Sequence, residues 1–281
     1  MIRANHHAHT RFSDGRGEAE DYVQAALDAG LQVYGFSDHA PFPEEVHFGS
    51  FALTDLPEYI HTIDKLKEKY AGQIELYRSL EVDYVPGEMH ADCPHIKAAQ
   101  LDYTIGAVHF IDRLADGERW SYQQPDPKFQ RGIDEIFGGN AQRAVERYYA
   151  LIREMVTEHP TDIVAHLDRI LRRNTNDRFF DRTAKWYRHA ILETLEVVAH
   201  QGCILEVNTR GLYRKDNPTT YPDRWTLQRA RELDIPVHLA SDAHDTENII
   251  SNFDDAKAVL REVGYETTQV FLGGRWTEIE L

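Results

Sequence analysis

A chain of 281 residues with 47 acidic and 31 basic side chains carries a formal net charge of −16 at neutral pH. With no run of Lys and Arg, it lacks the basic patch that grips long nucleic acids or anionic membranes, and it suits a small substrate. Hydrophobic residues at 42% and charged residues at 28% describe an ordinary globular protein, with no apolar stretch of membrane-spanning length and no apolar leader at the N-terminus. Cys93 and Cys203 form no Cys-x-x-Cys pair, which points to a reducing compartment, the cytoplasm.

The elements alternate along the chain. A short strand over Ile2–Asn5 runs into His6–His9, and a helix over Glu18–Ala29 follows, closed by Gly30. Val33–Phe36 reads as a strand ending in Ser37-Asp38-His39, and Asp55–Tyr70 as a helix. Ile74–Leu80 ends in Glu81, and Tyr103–Val108 ends in His109. A long helix over Ala141–Glu158 precedes Ile163–Ala165, which ends in His166. A helix over Ala184–His200 stops at Gly202, and Ile204–Val207 ends in Asn208. A helix over Arg224–Leu233 leads to Ile235–Ala240, which ends in Ser241-Asp242-Ala243-His244, and a last helix spans Asp254–Val263. Seven strand–helix units predict a parallel sheet closed as an α/β barrel, one domain over residues 1–281. The long connections Pro41–Thr54 and Phe110–Asn140 are expected to fold over the site as loops.

The chemistry lies in where the His and carboxylate residues fall. His7, His9, His39, Glu81, His109, His166, Asp242 and His244 all stand at C-terminal strand ends, the rim where α/β barrels build active sites. Asp14 follows in a Ser13-Asp14-Gly15 turn, and the sixth strand offers Glu206 and Asn208. A His-x-His spacing puts His7 and His9 on one side of an extended strand. Imidazole and carboxylate without thiolate suit Zn, Mn, Fe or Mg. Nine ligands exceed the need of one ion, so two or three divalent ions are expected, with Glu81 bridging. His61, His159, His189 and His200 fall outside the pattern, His61 and His200 on solvated helix faces.

At these residues the sequence resembles the polymerase and histidinol phosphatase (PHP) family, over nearly the whole chain. His7-Ala-His9-Thr-Arg-Phe-Ser13-Asp14-Gly15, Ser37-Asp38-His39-Ala40-Pro41, Glu81-Val-Asp-Tyr, Gly106-Ala-Val-His109, Ala165-His166, Glu206-Val-Asn208 and Ser241-Asp242-Ala-His244 follow in the family's order. Asp-His-Ala-Pro, Ile136-Phe-Gly-Gly and Asn208-Thr-Arg-Gly-Leu look most like the histidinol-phosphatase branch. The resemblance implies a distorted (β/α)7 barrel of TIM type and a trinuclear centre. His7, His9, Glu81 and Asp242 would hold one ion, Glu81, His109 and His166 a second, and Asp14, His39 and His244 a third. Some relatives carry a His where this chain has Gly15; Asp14 resembles the variant in which an Asp takes that part.

The expected reaction is hydrolysis of L-histidinol phosphate in histidine biosynthesis, by a hydroxide between ions held by the catalytic pair Glu81 and Asp242. Arg172, Arg210 and Arg214 are the candidate phosphate contacts. Asp83 and Asn208, with Glu44 or Glu45, are candidates for a substrate pocket. A nucleotide phosphoesterase would instead stack bases on Phe48, Phe51, Trp120 or Tyr122. Amide hydrolysis on a similar barrel, a non-catalytic metal-binding regulator and a proofreading exonuclease are the remaining alternatives. The partner set is a small phosphoester, no nucleic acid and no membrane, acting as a monomer or small homo-oligomer.

Overall fold

A computed structural model describes residues 3–43, 49–215 and 218–281. The first units are β1 (Ala4–Asn5), α1 (Ala19–Asp28), β2 (Val33–Phe36), α2 (Leu56–Lys69), β3 (Glu75–Arg78), β4 (Glu81–Asp83), α3 (Pro94–Ala98) and β5 (Ile105–Ala107). There follow β6 (Phe110–Arg113), β7 (Arg119–Ser121), α4 (Asp126–Phe137), α5 (Ala141–Glu158), β8 (Ile163–Val164), α6 (Lys185–Gln201) and β9 (Ile204–Asn208). The chain ends with α7 (Arg210–Arg214), α8 (Arg224–Glu232), β10 (Val237–Ala240), α9 (Phe253–Glu262), β11 (Thr267–Leu272) and β12 (Arg275–Glu280).

The parallel strands form two sheets, ordered β1-β2-β3 and β10-β9-β8-β5-β4. β3 and β4 are halves of one strand, broken at Ser79 and Leu80. A parallel bridge between His39 and Glu81 joins the sheets on one side, and one between Ala8 and Ala243 joins them on the other. His9 N donates to the Ala243 carbonyl at 2.8 Å at that second junction. The result is the expected distorted (β/α)7 barrel, with its strand C-termini gathered at one rim. The buried strands read as apolar runs because helices cover the outer face.

Helix α5 shows how sequence sets this packing. Ala144, Val145, Tyr148, Tyr149, Leu151, Ile152, Met155 and Val156 recur at helical spacing and are all buried. Each fully buried aliphatic side chain of that size contributes roughly 1.5–3 kcal/mol relative to exposure. Asn140 caps the helix by accepting from Arg143 N.

The opposite end of the barrel is closed by the β11–β12 hairpin, a strand pair the sequence reading left unassigned. Val270 and Phe271 enter a cluster with Val33, Tyr77, Tyr103, Ile105, Ile163 and Ile204. The segment Phe110–Asn140 also departs from the expected loop. It folds as the hairpin β6–β7 followed by α4, and the Trp120 ring lies flat on the helix at Gly132. A Cβ at Gly132 would stand 2.0 Å from the Trp120 ring nitrogen, so only glycine admits the contact. Among the described residues no helix is long and apolar enough to cross a membrane.

Candidate metal centre

Every one of the nine candidate ligands reaches the same rim. His7 and His9 leave β1 on its extension, fully buried. His39 extends β2, Glu81 opens β4, His109 follows β5 and His166 follows β8, all buried. Asp242 and His244 follow β10. Asp14 arrives from the turn after His9.

Glu81 stands at the centre, and its two oxygens serve different partners. Oε1 lies 2.9 Å from His166 Nε2 and 3.6 Å from His109 Nε2. Oε2 lies 3.5 Å from the Nε2 of both His7 and His9, and 3.0 Å from His39 Nδ1. Asp242 Oδ1 closes the first group, 3.3 Å from His9 Nε2. Asp14 Oδ1 gathers the last, 3.1 Å from His244 Nε2, 3.7 Å from His39 Nε2 and 3.8 Å from His9 Nδ1. His9 therefore faces two groups, one through each ring nitrogen, whereas the sequence reading gave it to one.

The donor set fits divalent ions on its own chemistry. Glu206 occupies His7 Nδ1, so a ring that gives up its other proton presents the lone pair of Nε2, which points at His9 Nε2 3.1 Å away. Asp83 likewise occupies His109 Nδ1 at 2.8 Å, which turns the Nε2 lone pair of that ring toward the Glu81 carboxylate. Imidazole and carboxylate donor atoms converging at these spacings suit a cation between them. Burial lowers the pKa of His7, yet Glu206, Glu81 and Asp242 outweigh it and raise it well above the usual imidazole value. The cage thus demands positive charge at this spot, and a divalent ion supplies more of it than a proton. Burial raises Glu81 and Asp242, but neighbouring side chains reverse the effect: His109, His39 and His7 for Glu81, Arg210, Arg169 and His7 for Asp242. Both carboxyls are held well below the usual carboxylate range, as anions.

A second layer of buried polar groups fixes the ligands. Glu206 also accepts from His166 N at 2.8 Å and from Asn208 Nδ2 at 3.0 Å, and Asn208 Nδ2 reaches Asp242 Oδ2 at 3.1 Å. Asn208 is fully buried here, behind Asp242 rather than in a pocket. Asp83 is likewise turned to His109 instead of toward open space. The pocket candidates Glu44 and Glu45 lie outside the described residues, as does Phe48. Phe51, Trp120 and Tyr122 are buried in the core, so none of these three is a stacking platform. His166 and Asp242 adopt φ of +25° and +51°, backbone strain that clusters at functional sites.

The turn carrying Asp14 is built by two residues. Asp38 Oδ1 accepts from Thr10 N at 2.7 Å and from the Ser13 hydroxyl at 2.6 Å, which curls the chain over the rim. Gly15 is obligatory, because a Cβ there would stand 2.0 Å from the His9 carbonyl oxygen. The sequence reading assigned Asp38 no role.

The arginines divide. Arg210 lies against Asp242, its Nη1 donating to the Asp242 carbonyl at 2.6 Å and approaching Oδ1 at 3.5 Å, and it also contacts His244 Nδ1. Arg172 instead lines a surface cavity with Asp126, Arg173, Thr175, Arg178 and Lys215, and Arg214 is exposed at the end of α7. A second arginine at the rim is Arg169, absent from the sequence-based candidates. It is buried, with its Nη1 paired to Asp242 Oδ2 at 3.3 Å, its guanidinium over the Tyr221 ring at 5.0 Å, and its Nε without a hydrogen-bond acceptor. Its signal was its place three residues after His166.

Comparison with known proteins agrees with this construction. The PHP domain model matches residues 5–210. A protein of Deinococcus radiodurans described as a probable histidinol-phosphatase is 32% identical, over 93% of this chain and 94% of its own. The histidinol-phosphatase of Bacillus subtilis is 25% identical over 89% of this chain and 96% of its own. In fold, the chain matches the histidinol phosphate phosphatase of Lactococcus lactis, solved with Zn, L-histidinol and phosphate, at a TM-score of 0.72 and 19% identity, covering 98% of each chain. The hisK protein of Listeria monocytogenes gives a TM-score of 0.79 at 22% identity, covering 90% of this chain and 99% of its own. By the extent of the domain match and of the Deinococcus relative, the chain belongs to the PHP family.

Proposed function

We propose that this chain is a metal-dependent phosphomonoesterase that hydrolyses L-histidinol phosphate to L-histidinol and phosphate. The observation that carries the reading is the gathering of nine buried or rim-lying His, Asp and Glu side chains, with Glu81 and Asp14 at the centres of the groups, beside the Arg169 and Arg210 guanidinium groups. Kinship with the Deinococcus and Bacillus histidinol-phosphatases supplies the substrate. His7, His9, Glu81 and Asp242 form the first ion set, Glu81, His109 and His166 the second, and Asp14, His39, His244 and the second nitrogen of His9 the third.

Divalent ions in such a cage supply Lewis acidity and lower the pKa of water toward neutrality. The chain's own residues do the rest. Arg169, whose buried Nε lacks an acceptor, and Arg210 meet the phosphoryl oxygens and hold them at the rim. Asp83, Glu206 and Asn208 keep the ligands in register. Arg172 and Arg214 lie outside this assignment.

The substrate is a small phosphoester, and the strongly acidic chain takes no nucleic acid. Residues 1–281 form one catalytic domain, as a monomer or small homo-oligomer. The two buried free cysteines suit the cytoplasm.

The test is phosphate release from L-histidinol phosphate beside AMP and an aryl phosphate, with Mn or Zn supplied. A kcat/KM of about 10⁴ M⁻¹s⁻¹ or more for histidinol phosphate, far above the others, is expected. A faster turnover of AMP would move the substrate to nucleotides, and no release from any ester would overturn the enzyme reading.

A further inference from the structure

Away from the barrel rim, His90, Asp92 and His159 bring ligand atoms within 4.8 Å of one another. His90 and Asp92 lie between β4 and α3, and His159 is the residue that ends α5. The two imidazoles stack with centroids 3.7 Å apart and planes 14° from parallel. Asp92 Oδ2 lies 2.7 Å from His159 Nδ1, while its Oδ1 pairs with Lys97 Nζ at 2.8 Å. His90 Nδ1 is buried with no hydrogen-bond partner.

We propose that His90, Asp92 and His159 form a second, peripheral site for a borderline divalent cation of the Zn, Ni or Cu class. Two imidazoles and one carboxylate select such ions over Mg and Ca, which prefer oxygen ligands alone. A tetrahedral ion with bonds of about 2.0–2.1 Å spaces its ligand atoms about 3.3 Å apart. The ligand atoms lie within 4.8 Å of one another, so binding closes that spacing and turns the stacked imidazoles toward a common point. Three protein ligands leave one position for water.

The ion clasps two segments distant in sequence: the loop leaving the strand that carries Glu81, and the end of α5. The same loop presents Glu88, whose carboxylate binds Arg113 and Arg119 of the β6–β7 hairpin. Binding therefore ties the hairpin's anchor to the helix layer. Lys97 competes with the ion for Asp92, which makes the site weak in the native chain and gives it a diagnostic.

The experiment uses the enzyme with its rim ions loaded, dialysed against micromolar free Zn²⁺, and counts ions per chain by mass spectrometry. Wild type should hold one ion more than the H90Q/H159Q double variant, with equal phosphate release from L-histidinol phosphate. K97Q should bind the extra ion roughly two- to five-fold more tightly, the range of an exposed ion pair removed as competitor. The melting temperature of wild type, but not of the single variant H90Q, should rise with added Zn²⁺. Equal ion counts in wild type and a folded double variant would overturn the site. So would displacement of the extra Zn²⁺ by an equal concentration of Mg²⁺, or unchanged affinity in K97Q.

Discussion

The Asp83 carboxylate lies 2.8 Å from His109 Nδ1, and so decides which nitrogen of that ring faces Glu81. The same oxygen accepts from His109 N at 3.3 Å, so backbone and ring are held by one group. A carboxylate behind an imidazole fixes its tautomer and raises its basicity as a ligand. D83N keeps the shape and removes the charge. Ion affinity or turnover should fall about 10- to 100-fold, read by ion content after dialysis and by steady-state phosphate release.

E81Q should abolish turnover and lower ion content, because both Glu81 oxygens serve separate histidine groups. Near-native activity in E81Q would refute the central position of this carboxylate. H61A, on an exposed helix position, should leave activity intact and serves as the control.

R169A should reduce kcat/KM more than R172A or R214A. A charged hydrogen bond contributes about 1.5–3 kcal/mol, or roughly 10- to 150-fold. Arg169 also neutralises Asp242, so R169K separates the roles: charge near Asp242 is retained while the planar fork for phosphate is lost. Equal losses in R172A and R169A would refute the division of the arginines.

G15A should destabilise the turn that delivers Asp14. Its Cβ would overlap the His9 carbonyl at 2.0 Å, and His9 faces two of the three groups. Reduced ion content at the third group, with part of the activity retained at high ion concentration, is the expected outcome.

Ion binding should release protons. Burial lowers His7, but Glu206, Glu81 and Asp242 raise it well above the usual value of 6.5, so the ion-free chain keeps a proton there that an ion must expel. A raised pKa means the protonated form is favoured in the fold, so ions compete worst at low pH. Affinity should climb as pH rises through neutrality and above. Calorimetric titration in buffers of different ionisation enthalpy reads the released protons directly, and a pH-independent affinity would contradict the cage argument.

Much of the barrel was legible because its strands are short apolar runs that stop at a polar residue. Val33–Phe36 and Ala141–Glu158 match the structure residue for residue. The β6–β7 hairpin was not read, although Asp116-Gly117 is a hairpin signal. Its flanks mix charged and aromatic residues, because one face packs on α4 and the other meets arginine pairs. The Gly273-Gly274 pair signalled the closing hairpin in the same way.

By itself the sequence nominated the candidate ligands: residue type, His-x-His spacing and, for all but Asp14, position at strand ends depend on local periodicity. Only the tertiary structure decided how those candidates group around Glu81 and Asp14 and which arginines stand beside them. Arg169 and Arg172 are chemically identical and three residues apart in one short helical turn. One is buried against Asp242 and the other lines a surface cavity, because the first lies deeper, over the Tyr221 ring and beside Asp242, a depth set by the surrounding fold. Likewise Asp83 and Asn208 became supports for ligands, since a buried polar group takes the partner the fold places within reach.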